Sequence, residues 1–587
     1  MAESVEPTES LVSQQMNGDG LKADGAGQTS WDNFSQWLCA VCVVTFDLEL
    51  GQALESIIPS DYSLSDTEKS NVCYLSFPDS NSGCMGDTQF HYRIRCSGEG
   101  AGGTSLSHTH HHQGAPLVLT PDPGYYYGFV YFRQVKDADI KRGYYQKSVV
   151  LLTRLPYITL FTQMVQKIAP DYFTNGLPSL EAACHSINTW LAPRPGKVLQ
   201  LPLLGQIIQV RMPSKSDKIG SARSPDDVAR KSAAVMVVPS VHDLNLYQAL
   251  QPVLNSFELI WELVITNEPI AVMAGSPTLC ANAVQALVSL IHPLKYASDY
   301  RPFFTIHDSE FKHYTTRRQA PPQVILGVTN PFFVKTLDNW PHLIRLADQS
   351  DSEEDFPGSR GGTGRSLGDG SDKPGVHTKY KPFLSRDKNF AKIISTSKSA
   401  PGKRPMEVHN VMIKRHALEL TTSFIIPLER YLASLMPLKR DVSPWRPPPQ
   451  VKVFDLPTFL ETVEGAGPQL TTGIKGNWTG LYKRFVLSPN FMSWFALRKE
   501  EANQKLRLLH LDTLCKADMM FWMRDKAEVE VVDFLLQVKD CMAAAFKSHP
   551  SVPQQTLQAL QKQIRTVLSK LPEDLQSCLT TTFTLYL

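Results

Sequence analysis

The longest apolar runs of this 587-residue chain, such as Leu38 to Phe46 and Phe257 to Ile265, fall well short of the roughly 18 residues that a membrane-spanning helix needs. No transmembrane segment is expected. An excess of one charge is also missing: 59 Lys and Arg against 57 Asp and Glu leave a net charge of +2, which excludes a chain-wide attraction to nucleic acid or acidic membrane. The N-terminus carries Glu3, Glu6 and Glu9 where a signal peptide would have basic residues and then an apolar segment. The 10 cysteines are scattered, several in apolar surroundings, and read as reduced core residues rather than a disulfide framework. These absences predict a cytoplasmic protein, in which Asn477-Trp478-Thr479 is a glycosylation sequon by pattern only. Neither the phosphate-loop pattern G-x-x-x-x-G-K followed by Ser or Thr nor the zinc-protease pattern H-E-x-x-H occurs.

What is present is ordinary globular material, 42% hydrophobic and 20% charged, long enough for two to four domains at about 150 residues each. Residues 1–30 are poor in aliphatics and read as a disordered tail. From Trp31 the strand-like runs Leu38 to Phe46, Asn71 to Phe77, Thr88 to Arg95, Tyr125 to Arg133 and Gly143 to Thr153 are rich in Val, Ile, Tyr and Phe. With a helix over Pro156 to Ile168, they predict a mainly antiparallel sheet closing near Met212. Within this unit Ser97 to Pro123, which includes the His108 to His112 cluster, reads as a surface loop. A polar linker spans 213–231.

The next unit, 232–349, has an apolar helix near Leu244 to Val264, a short strand Pro269 to Ala274, and a helix that starts sharply. Ser276 can cap it, Pro277 suits the first helical position, and Val284, Leu287, Val288 and Ile291 recur at helical spacing. Strands at Phe303 to Ile306, Gln323 to Val328 and Leu343 to Leu346 then predict an α/β layer with a largely parallel sheet. Residues 350–376 form a Gly-rich low-complexity insertion. Beyond it Ala417, Leu420, Phe424, Leu428, Tyr431 and Leu435 step by three or four along a long amphipathic helix, and further helical patterns make 377–510 and 511–587 α-helical. The fold class is therefore multi-domain, α/β and α+β.

Candidate chemistry is sparse. Cys39 and Cys42 form a C-x-x-C without a second pair, and on a strand they would face opposite sides. The His cluster has no Cys or acidic partner at ligand spacing. The one G-x-S-x-G, at Gly364 to Gly368, lies in the low-complexity insertion, without the strand and helix that a nucleophile elbow requires. Asp308 and Glu310 are the most enzyme-like carboxylate pair, and three readings stay open for them: a capped helix start, a partner-facing surface, or acid/base chemistry. No catalytic residue, metal or cofactor is expected.

Three stretches carry a resemblance: Cys42 to Gln52 with Tyr74 to Gly83; Phe304 to Phe311 with Val324 to Phe333; and Ser423 to Tyr431 with Leu481 to Phe485. They resemble DENN-domain proteins, closely subfamily six, over about Leu38 to past Phe495. The resemblance implies a longin-like N-terminal module, an α/β core DENN module and an α-helical downstream DENN module, in the order of the textures above. It also implies guanine nucleotide exchange on a Rab GTPase of the endosomal recycling pathway, Rab fourteen, with peripheral recruitment to recycling endosomes and no nucleic-acid partner. The alternative is a longin/DENN scaffold that binds a small GTPase without exchange activity. Loops at strand ends carry function more often than strand interiors, and crevices at the carboxyl ends of parallel strands receive ligands. On those grounds the candidate partner-binding residues are Asp79, Asn81, Asp308, Ser309, Glu310, Thr329 and Asn330.

Overall fold

The computed structural model describes residues 30–49, 51–79, 84–97, 114–140, 143–217, 235–317, 319–346, 373–395, 405–470, 474–547 and 554–583. Outside them lie the tail up to residue 29, the His108 to His112 cluster, Asn81, most of the 213–231 linker, and most of the 350–376 insertion with its G-x-S-x-G.

The first unit is a five-stranded antiparallel sheet of β1 (Ala40–Asp47), β2 (Gly51–Ile58), β3 (Gly86–Arg95), β4 (Tyr125–Lys136) and β5 (Tyr144–Thr153), in the order β2-β1-β5-β4-β3. The unbroken apolar run of β1 reflects burial on both faces. Ala40, Cys42 and Val44 join one core with Val72 and Leu75 of helix α1 (Asp66–Leu75). Val41 and Val43 point the other way, into a core with Phe161 and Met164 of α2 (Ile158–Asn175) and Leu180 of α3 (Leu177–Asn188).

Asn71 to Phe77, expected as a strand, is mostly the second half of α1. Its start is written upstream: Ser65 Oγ accepts from Glu68 N at 3.2 Å and Glu68 Oε2 accepts from Ser65 N at 2.9 Å, a capping box that commits the following residues to helix whatever their strand propensity. C-x-x-C also differs from expectation. Cys39 precedes β1 rather than lying on it, and it packs beside the same core as Cys42. Burial pushes the Cys39 thiol up to about 11 and that of Cys42 higher, so both stay protonated packing groups.

A smaller sheet follows, β6 (Val198–Leu203), β7 (Gln206–Arg211) and β8 (Val235–Val238). Its β6–β7 hairpin turns on Leu204 and Gly205, both at positive φ (47° and 76°), the pairing that lets a two-residue turn match strand twist.

In the second unit the helix expected over Leu244 to Val264 is broken in two, α4 (Leu246–Leu250) and α5 (Phe257–Ile265), joined by a 3-10 turn containing Pro252. There follow β9 (Ile270–Met273), α6 (Pro277–Ser289), β10 (Asp299–Arg301), α7 (Phe311–Thr315), β11 (Val324–Val328), α8 (Phe332–Thr336), β12 (His342–Arg345) and β13 (Gly375–Thr378). The sheet order is β10-β11-β9-β12-β13, parallel except for the antiparallel edge strand β13. Ser276 caps α6 as expected, accepting from Leu279 N at 3.3 Å. The strand expected over Phe303 to Ile306 is instead the bend after β10. Pro302 has no N–H to extend the ladder, and its carbonyl passes so close to Gly327 that a Cβ there would lie 2.3 Å from it.

The third unit is helical: α9 (Lys388–Ser395), α10 (Met406–Ser434), α11 (Leu456–Ala466), α12 (Trp478–Val486), α13 (Pro489–Lys516), α14 (Met519–Met523), α15 (Glu528–Lys547), α16 (Gln554–Leu568) and α17 (Glu573–Phe583). The periodic stripe of α10 is buried from Ala417 to Leu435, and Trp261 Nε1 of α5 donates to Thr421 Oγ1 across that contact at 2.9 Å. One hydrophobic cluster runs from Phe34 to Leu506 through all three units. Residues from Leu511 to Leu579 form a core of their own. Among the described residues, no helix is long and apolar enough to cross a membrane.

Candidate functional site: the seam between the two large sheets

The candidate residues converge where α1 and β3 of the first sheet unit meet the loops after β10 and β11. On one side, Asn71 of α1 donates through Nδ2 to Ser309 Oγ at 3.0 Å and accepts through Oδ1 from Ser309 N at 3.1 Å. On the other, Thr329 Oγ1 donates to Asp79 Oδ2. His307 joins the two groups: its ring stacks on Tyr74 at 4.8 Å, and it lies close enough to Asp79 to pull that carboxyl down. Burial works against this and, being larger, leaves Asp79 above the ordinary carboxylate range.

Beneath the seam runs a buried charge network. Arg93 of β3, 4% exposed, donates through Nη1 to Asp299 Oδ1 at 2.7 Å and through Nη2 to Asp122 Oδ2 at 3.1 Å, with its guanidinium over the Tyr125 ring at 3.3 Å. Asp299 Oδ2 also accepts from Arg301 Nε at 3.0 Å, Tyr314 Oη at 2.9 Å and Arg95 Nη2 at 3.3 Å. Burial opposes ionisation of Asp299, but Arg301, Arg93 and Arg95 outweigh it and hold the carboxyl below its ordinary range. Glu310 accepts from Arg301 and lies 3.3 Å from Arg95 Nε.

The carboxylate pair thus has two internal duties. Asp308 is 4% exposed, its Oδ1 accepts from Glu310 N at 2.8 Å, and its Oδ2 is buried without a hydrogen-bond partner among the described residues. The capped-helix reading is corrected: the N-cap position of α7 is Glu310 and carries no side-chain cap, Asp308 instead closes the turn ahead of the helix, and Glu310 is spent on arginines. Neither side chain projects freely from the surface. Thr329 is buried as well, while Ser309 is exposed and Asp79, Glu310 and Asn330 are half-buried. Asn330 accepts through Oδ1 from Phe332 N at 3.0 Å and so fixes the start of α8.

Burial pushes the Asp308 carboxyl up, against the pull of Arg301. A raised folded-state pKa means that this group's contribution is complete below the unfolded value, about 4, and is lost as pH rises through the folded one. Asp308→Asn keeps an acceptor for Glu310 N and cannot ionise. Relative to wild type, its thermal midpoint is expected to be more favourable near pH 7.5 than near about pH 4.5. An equal difference at both values would show that Asp308 ionises without cost.

The arginine network was absent from the sequence-level candidates, although a signal existed: Arg93 and Arg95 sit two apart on β3, as do Asp299 and Arg301 on β10, so each pair shares one face of its strand.

Residues 519–582 match the family model for the DENND6 C-terminal domain. Over nearly the whole chain the similarity is to proteins of that same name. Protein DENND6A of Gallus gallus is 49% identical over 560 residues, covering 94% of this chain and 95% of that protein, and Protein DENND6B of Homo sapiens is 48% identical over 553 residues, covering 94% of each. The chain belongs to the DENND6 family. The kinship extends to the Protein DENND6 homolog of Dictyostelium discoideum, 30% identical over 577 residues. In this DENND6 chain the family-model match falls on α14 to α17, the separate C-terminal core, whereas the seam lies within the longer stretch shared with the DENND6A and DENND6B proteins.

Proposed function

We propose that this DENND6 protein is a guanine nucleotide exchange factor for a Rab GTPase, Rab fourteen by the resemblance above, serving endosomal recycling traffic after recruitment to recycling endosomes through partners. On this reading residues 31–212 are the longin-like upstream module, 232–349 the core DENN module, 377–510 the downstream module and 511–587 the C-terminal helices. Membership of the DENND6 family over nearly the whole chain is the observation that carries it.

The chemistry required involves no nucleophile and no general base. A GTPase holding GDP at nanomolar to picomolar affinity sits in a well of roughly 12 to 16 kcal/mol. An exchange factor breaks no covalent bond and only has to bind the open form better than the GDP form. It needs apolar area to grip mobile switch segments and a few polar groups at the rim. The outer edge of the seam offers both: Phe332 is 53% exposed, Val334 40% and Ile306 38%, beside the half-buried Asp79 and Asn330. We place the Rab there, gripped by this apolar rim, with Glu310, Ser309 and Asn330 as its polar surround and Asp308 and Thr329 shaping the loops from beneath.

Phe332→Ala combined with Val334→Ala is expected to slow GDP release from the Rab at least tenfold, about 1.4 kcal/mol of lost transition-state binding, with an unchanged melting temperature. Wild-type exchange from the folded double variant would move the contact elsewhere. Failure of the wild-type protein to accelerate release from any Rab in a panel, while still binding one, would establish the scaffold instead.

A further inference from the structure

A cavity of about 1320 Å³ opens where the three units meet, walled by the segment before β4, the end of α6 with the chain leading to β10, and the facing sides of α10 and α13. Its charges are unevenly matched. Each of the three carboxylates lining it already has a cation: Asp122 has Arg93 at 3.1 Å, Asp217 has Arg211 at 2.6 Å and Asp243 has Lys414 at 3.3 Å. Lys295 and Arg415 line the same space and form no ion pair among the described residues. The rings of His242 and His292 stand 6.3 Å apart on its wall. Gln285 and Tyr296 also contribute to its lining.

Unmatched cations call for an anion, because a partly buried ammonium without a counterion is poorly solvated. Burial holds Lys295 below the ordinary lysine range, with Asp122 pulling it up and Arg93 pushing it down, the condition that a bound phosphate would relieve. Lys295 on one wall and Arg415 on the facing helix match a ligand bearing several phosphates, and the volume exceeds what such a molecule requires.

We propose that this cavity is a binding site for a small solute bearing several phosphates, held by Lys295, Arg415 and the His242–His292 pair. Because all three units contribute walls, its occupant bridges them, and binding to the assembled form alone stabilises that assembly by mass action. The site shares Arg93 and Asp122 with the charge network beneath the seam but does not depend on the exchange reading.

The test uses the full chain and inositol hexakisphosphate as the soluble probe, with unphosphorylated inositol as control, in calorimetric titration and thermal melts. Saturable binding and a raised melting temperature are expected with the hexakisphosphate only. Arg415→Glu, at an exposed position, and Lys295→Ala should each weaken binding at least tenfold, while Arg440→Glu, exposed and outside the cavity, should not. Vesicles containing phosphatidylinositol 4,5-bisphosphate identify the source: retention sensitive to Arg415→Glu means a lipid headgroup is admitted, and soluble binding without such retention means a free solute. Absence of binding, or an equal loss with Arg440→Glu, overturns the site.

Discussion

Replacing Asp299 with Ala is expected to destabilise the protein by about 3 to 5 kcal/mol, the usual cost of stripping one partner from a buried ion pair. The reason lies in who is left behind. Arg93 and Arg301 are 4% and 1% exposed, and Asp299 is the carboxylate that both contact, at 2.7 and 3.0 Å. Without it Arg93 keeps Asp122 and Arg301 keeps Glu310, both at the more exposed margins of the network. The loss also has a pH signature. The folded-state pKa of Asp299 is depressed, so its contribution is present above the unfolded carboxylate value, about 4, and disappears as pH falls through the folded one. Wild type and variant should therefore converge in urea midpoint under acid conditions and diverge near neutrality. A difference below about 1 kcal/mol at neutral pH would mean that Asp122 and Glu310 suffice for both guanidinium groups.

Phe424→Ala should cost a similar amount, roughly 3 to 5 kcal/mol, by a different route. Phe424 is fully buried in α10. Its ring stacks on Tyr482 at 4.3 Å and meets Trp261 and Phe485 edge-on at 5.5 and 5.1 Å. Those neighbours belong to α5 and α12, so the residue ties the parallel-sheet unit to the helical one. Truncation leaves a void that three large rings from two separate helices cannot readily close, since each is fixed by other contacts. Tyr482 Oη, for instance, donates to the Phe424 carbonyl at 2.7 Å, which the substitution keeps in place. Chemical denaturation followed by tryptophan fluorescence reads the effect through Trp261. A loss under about 1 kcal/mol would show that the site collapses around the smaller side chain.

Much of this architecture was legible from period and punctuation. The doubly buried β1, the Ser276-Pro277 start of α6 and the α10 stripe each follow from a pattern confined to one element. Misreadings arose where a distant or upstream group decided the outcome. Asn71 to Phe77 has strand composition, but Ser65 and Glu68 start a helix before it. Phe303 to Ile306 has strand composition, but Pro302 and the closeness of Gly327 turn it into a bend. The six described candidates share a neighbourhood, because the loops after β10 and β11 meet the segment after α1. Their orientation was not legible: that Asp308 turns inward depends on Asn71, about 240 residues away in sequence, holding Ser309, and no local spacing encodes such a contact.

Helix α13 belongs to two bodies. Phe491, Trp494 and Leu506 sit in the main core, while Leu511 and Leu514 sit in the C-terminal one. At 28 residues and 1.5 Å rise each, it is a rod of about 42 Å. A rod shared in this way acts as a lever. A tilt of only about 5° about its first turn would swing its far end by nearly 4 Å, by the same rise per residue, so a load borne by the last helices would reach the main body as torque near Asn490. That residue bonds the carbonyls of Val264 and Ile265 at the end of α5, one short step from β9 at the centre of the parallel sheet.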